Sequence, residues 1–167
     1  FSMYNMVPRG LALKMCIGNA RNLFQKKDQI KKLKKIKVTK YSLNKEQENS
    51  LKYLENVKGK FNVSVLQGAT GSGKTLVYFE RIKKIIEENK QALVLLPEIF
   101  LTNEFQSRFE EFFGFSPAVW HSRITPKNKR IILKGIIQNK IKLIIGARSS
   151  LMLPFKKLGI IIVDEEH

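Results

Sequence analysis

The string GATGSGKT, residues 68–75, constrains this chain more than any other. Its three glycines, Gly68, Gly71 and Gly73, let a backbone curl until its N–H groups point inward, beside the positive end of the helix that follows. Such a loop holds phosphate. Ala69, Thr70 and Ser72 complete the backbone cradle, Lys74 is placed to reach the β- and γ-phosphates, and the Thr75 hydroxyl is placed to bind Mg²⁺. The pattern has meaning only between a strand and a helix. Residues 61–67 (FNVSVLQ) are β-branched and apolar and predict the strand, while Leu76, Phe79, Ile82 and Ile86 recur at helical spacing and predict the helix. The combination implies a nucleotide-binding domain of the P-loop class.

The same alternation continues downstream. Strands are expected at 92–96, 118–120, 142–145 and 159–163, separated by helices around 105–112 and 127–139, with an earlier helix beginning near Asn44. Continuous apolar strands alternating with amphipathic helices predict an α/β domain, RecA-like, with a mostly parallel sheet covered by helices on both faces. Upstream, Ile30, Leu33 and Ile36 recur inside a lysine field over 26–40. That is either a basic helix or a solvated linker, and the narrowness of the apolar stripe favours the linker.

A P-loop needs a second carboxylate on the Mg²⁺ side, at the end of another parallel strand. GIIIVDEEH, 159–167, supplies it: Asp164 follows the apolar run as the metal partner, and Glu165 is placed to polarise an attacking water. His167 can bridge to a neighbouring domain or to DNA, although a lone histidine is more often simply on the surface. Stacking on DNA is one reading of Trp120 and His121, but core packing suits Trp120 better, and Phe105, Phe109, Phe112, Phe113 and Phe115 read better as an apolar helix face than as a base platform.

Composition bounds the partners. With 31 Lys+Arg against 14 Asp+Glu the chain carries +17, which favours a nucleic-acid partner over a merely basic surface. No apolar run reaches the roughly 18 residues of a membrane span. One cysteine, Cys16, leaves no internal disulfide framework or cysteine-cluster metal site, so a reducing, cytoplasmic location is expected.

Taken together, QGATGSGKTLVYFERI, QALVLLPEIFLT, VWHS, IIGARSSLMLPF and LGIIIVDEEH resemble superfamily 2 helicases, and within them the bacterial primosomal replication-restart DNA helicases, over residues 41–167. The resemblance implies ATP and Mg²⁺ as cofactors, single-stranded or forked DNA as partner, and primosome proteins and single-stranded-DNA-binding protein as associates. By the same resemblance Leu43, Asn44 and Gln47 form an element that contacts adenine, with a plain helix start as the alternative. Pro97 to Thr102 and Gly146, Arg148 and Ser149 match motifs facing the DNA channel, Arg148 being the expected backbone contact, although Pro97 and Gly146 also suit simple turns.

The family's aromatic-rich loop, zinc-binding cysteines and second RecA-like domain have no counterpart in these 167 residues. The resemblance therefore implies a first RecA-like domain truncated after DEEH, preceded over 1–40 by the end of a winged-helix DNA-binding region and its Lys-rich linker, with zinc expected only of the whole family. An arginine from the second domain is worth about 10³–10⁵ in rate in related NTPases, so weak hydrolysis is expected without it. Three readings compete: the ATP-binding domain of a DNA helicase, a non-enzymatic remnant or basic nucleic-acid-binding module that binds ATP without turnover, and a small-molecule kinase. DEEH and PEIFLT have no place in the last.

Overall fold

The computed structural model describes residues 41–56, 61–69, 71–97 and 103–164. Its sheet contains β1 (Gln91–Leu95), β2 (Ala118–Trp120), β3 (Leu143–Gly146) and β4 (Leu158–Val163), in the spatial order β2-β3-β1-β4. Every pairing is parallel: Val94 lies opposite Ile145 and Ile162, and Val119 opposite Ile145. Parallel neighbours require crossovers, and the helices provide them. They are α1 (Lys45–Asn56), α2 (Lys74–Glu87), α3 (Asn103–Phe113) and α4 (Pro126–Ile137), with a 3₁₀ turn at Arg148–Met152.

Alternation along the strands divides the core in two. On one face Ala92, Val94, Leu143 and Ile145 pack under Phe79, Ile82 and Ile85 of α2 and Phe109, Phe112 and Phe113 of α3. The Phe79 ring centre lies 4.5 Å from that of Phe109, 5.0 Å from Phe112 and 5.3 Å from Phe113, in tilted contacts that add specific aromatic attraction to burial. The phenylalanines of α3 are thus core, as their spacing predicts. On the other face Leu93 and Ile144 pack with Trp120, Leu133, Ile136 and Leu153. Trp120 is buried, and Lys129 lies 6.0 Å from its ring centre.

Helix ends follow local chemistry. Thr125 caps α4 by accepting a hydrogen bond from the Asn128 N–H, with proline at the helix start. At α1, Asn44 and Gln47 bond reciprocally: the Gln47 N–H donates to Asn44 Oδ1 at 2.9 Å and the Asn44 N–H to Gln47 Oε1 at 3.0 Å. This is a capping box. Lys84 of α2 pairs with Glu55 of α1, and Tyr41 stacks on Phe112 with ring centres 5.7 Å apart, so the start of the described region is fastened to α2 and α3.

One expected element is absent. Residues 61–69 form no strand, and Phe61, Val63 and Val65 are exposed. Their composition suits a pleated, half-buried surface, but β-branched residues become a strand only where a neighbouring edge accepts their hydrogen bonds. The described sheet offers no such pairing to this segment. At its end, β4 packs Ile160 and Ile162, both half-buried, against the α2 side, whereas Ile161 and Val163, pointing to the opposite face, are exposed. Residues 1–40, including the lysine field and the expected winged-helix remnant, lie outside the described residues. Among the described residues no helix is long and apolar enough to cross a membrane.

Candidate nucleotide site

The glycine loop enters α2 through left-handed backbone at Gly71 (φ 80°) and Gly73 (φ 81°). Gly73 occupies the N-cap position and no side chain caps the helix, so its first N–H groups are not taken by a side-chain acceptor there. Such an end suits an anion. Within the loop the Ser72 N–H donates to the Ala69 carbonyl at 3.1 Å. Lys74 curls back, donating from Nζ to the Gly68 carbonyl at 2.6 Å and the Ala69 carbonyl at 3.1 Å. The ammonium thus sits over the mouth of its own loop.

Gln47 joins the loop from α1: its Nε2 donates to the Ser72 carbonyl at 3.0 Å. One side chain therefore closes the capping box with its oxygen and braces the loop with its nitrogen. A Cβ added to Gly73 would lie 2.4 Å from that Nε2. Gly73→Ala is accordingly expected to combine left-handed strain of about 1–2 kcal/mol with displacement of Gln47, lowering the melting temperature by about 3–8 °C in a thermal denaturation scan.

The carboxylate arrives from the sheet. Asp164 follows β4, and its N–H donates to the Leu95 carbonyl at 3.2 Å, extending the ladder by one residue. Its Oδ2 accepts a hydrogen bond of 2.6 Å from the Tyr78 hydroxyl, on the second turn of α2. Tyr78 is four residues beyond Lys74, a rise of about 6 Å along the helix. The loop, α2 and the carboxyl end of β4 therefore converge at one end of the sheet. Hydroxyl and carboxylate oxygens, from Thr75 and Asp164, are the donor chemistry that Mg²⁺ accepts.

Other expected site residues fall elsewhere. Arg148 and Ser149 are exposed at the start of the 3₁₀ turn. Gly146 has a packing reason for being glycine: a Cβ there would lie 2.6 Å from the Trp120 backbone carbonyl. His121 accepts a hydrogen bond at Nδ1 from the Arg123 N–H at 3.2 Å. Thr70, the run 98–102 of PEIFLT, Glu165 and His167 lie outside the described residues. Tyr78 was not anticipated. Its only signal in the sequence is a polar tip one helical turn after Lys74.

A parallel sheet with a glycine loop and an aspartate meeting at its carboxyl end defines a P-loop nucleotide-binding domain. A family model described as "DEAD/DEAH box helicase" matches residues 44–167, and the chain belongs to that family. It is 52% identical over 104 residues to the replication restart protein PriA of Rickettsia conorii, covering 62% of this chain and 16% of that protein. To the PriA of Helicobacter pylori strain J99 it is 44% identical over 135 residues, 81% of this chain and 21% of that protein. The PriA of Bacillus subtilis is 44% identical over 105 residues, 63% of this chain and 13% of that protein. The chain thus spans about a fifth or less of the length of these relatives.

Proposed function

We propose that this chain is the ATP-binding domain of a DNA helicase that couples ATP hydrolysis to DNA translocation in replication restart, using ATP and Mg²⁺. The observation that carries the reading is the convergence of Lys74 and Asp164 through α2, joined by the 2.6 Å bond from Tyr78. In this reading the loop N–H groups and Lys74 would bind the phosphates, and Thr75 and Asp164 would hold Mg²⁺, which would supply charge neutralisation at the phosphates. Glu165 orients the attacking water. Gln47 is fixed by Asn44 and by the loop, and from there its amide would lie beside a bound nucleotide. Arg148 and His167 are assigned to DNA contact and to coupling. The net charge of +17 supports DNA, single-stranded or forked, as the partner. Primosome proteins and single-stranded-DNA-binding protein follow from the similarity to PriA, and a cytoplasmic location follows with them.

The test is an equilibrium titration of the chain with a fluorescent ATP analogue and Mg²⁺, followed by ATP turnover with and without forked DNA. Saturable binding displaced by ATP is the expected result, with weak turnover by the chain alone that rises when forked DNA and the remainder of a PriA relative are added. Absence of saturable binding overturns the reading. Binding without turnover, even when the remainder of a PriA relative is added, moves the chain to a non-enzymatic nucleic-acid-binding role.

A further inference from the structure

We propose that Tyr78 is a positioning residue for the Mg²⁺-side carboxylate, its hydroxyl holding Asp164 in the orientation that nucleotide-bound Mg²⁺ requires. This rests on the assignment of Asp164 made above and adds a residue to it. The ring of Tyr78 is 4% exposed and meets Phe79 edge-on with centres 5.2 Å apart, so packing fixes where its hydroxyl can point. The hydroxyl donates to Asp164 Oδ2 at 2.6 Å, a length typical of a charge-assisted O–H···O⁻ bond. Phenylalanine would fill the same apolar space, and neighbouring positions of α2 use Phe79, Ile82 and Ile85 for that purpose. The hydroxyl is therefore the part of Tyr78 that packing does not explain.

The backbone alone does not orient its partner. Asp164 lies one residue beyond β4, where the last backbone bond to Leu95 is 3.2 Å, and nothing in that bond fixes the side-chain rotamer. Mg²⁺ demands near-ideal octahedral geometry, so a carboxylate free to turn binds it less well. Residues that orient a metal ligand typically contribute about 10–100-fold in metal affinity. The anchor also comes from the helix that carries Lys74 and Thr75, so phosphate and metal groups share one rigid support.

The experiment measures nucleotide affinity as a function of Mg²⁺ with a fluorescent ADP analogue and the full chain, for wild type, Y78F, D164A and the double variant. Y78F is expected to raise the Mg²⁺ concentration for half-maximal enhancement about tenfold, with affinity in EDTA changed less than about twofold. In the D164A background the same change is expected to have no further effect. An unchanged Mg²⁺ requirement in folded Y78F, with D164A strongly affected, overturns the role of Tyr78 alone. If D164A itself leaves the requirement unchanged, the assignment of Asp164 fails instead. Should Y78F melt below the assay temperature, p-aminophenylalanine at position 78, which keeps a donor, is compared with p-methylphenylalanine, which keeps only the shape. The proposal then requires that only the second weakens the Mg²⁺ response.

Discussion

Replacing Lys74 with alanine is expected to weaken Mg²⁺–ATP binding about 100-fold, equivalent to about 2.7 kcal/mol, in a calorimetric titration. The ammonium lies over the loop mouth, held by two neutral carbonyls, Gly68 and Ala69. Phosphate oxygens displace such acceptors readily, because a bond between opposite charges is roughly twice as strong as one to a neutral group. Alanine removes the cation and the loop brace together. The loss should therefore grow with the number of phosphates, small for AMP and largest for ATP. Equal weakening for AMP and ATP would point to loop collapse rather than to a lost phosphate contact, and an unchanged ATP affinity would remove Lys74 from the site. The fold should survive, because the loop contributes little to either core cluster.

A larger effect on stability is expected at a residue far from any phosphate. Gln91 opens β1, is fully buried, and uses its amide completely. Nε2 donates to the carbonyls of Ile136 at 3.1 Å and Ile141 at 2.9 Å, and Oε1 accepts from the N–H groups of Lys156 at 2.9 Å and Lys157 at 3.0 Å. One side chain thereby ties the end of α4, the entry to β3 and the entry to β4 to the central strand. Gln91→Leu keeps the volume but takes this partner from three backbone groups, the Ile141 carbonyl and the N–H groups of Lys156 and Lys157, while the Ile136 carbonyl keeps the Asn139 N–H at 2.9 Å. With about 1–3 kcal/mol for each buried group left unpaired, and some recovered by water or relaxation, a net loss of about 4 kcal/mol is expected. That corresponds to a fall of about 8–16 °C in melting temperature for a domain of this size. A shift under about 2 °C would show that those backbone groups find other partners.

These two residues differ in how visible they are in the sequence. Lys74 sits in a loop whose residue types fit phosphate chemistry, so the role proposed for it is visible in the string itself. Gln91 stands before ALVLL with nothing to mark it, because its four partners come from three segments that only the fold brings together. Helices and strands were legible where a single apolar period dominates: Phe109, Phe112 and Phe113 define α3, and Ile144 and Ile145 define a strand buried on both faces. The expected strand at 61–67 shows the limit. Phe61, Val63 and Val65 alternate as a strand should, yet pairing depends on an edge elsewhere, which no local pattern encodes. Asp164 was legible as a carboxylate ending an apolar run, whereas its tyrosine partner was hidden in the stripe of α2.

The strand order also sets a timetable for synthesis. β1 is central and is the earliest of the four strands in the chain, yet its partners are β3 and β4, with Ala92 pairing to Leu143 and Leu95 to Val163. At about 5–20 residues per second, the roughly fifty residues separating Ala92 from Leu143 take about 3–10 s to emerge from the ribosome. Throughout that interval the central strand has neither neighbour. The nascent chain must carry QALVL unpaired while α3, β2 and α4 are still being made, and that window is where it is most exposed to aggregation and most in need of a chaperone.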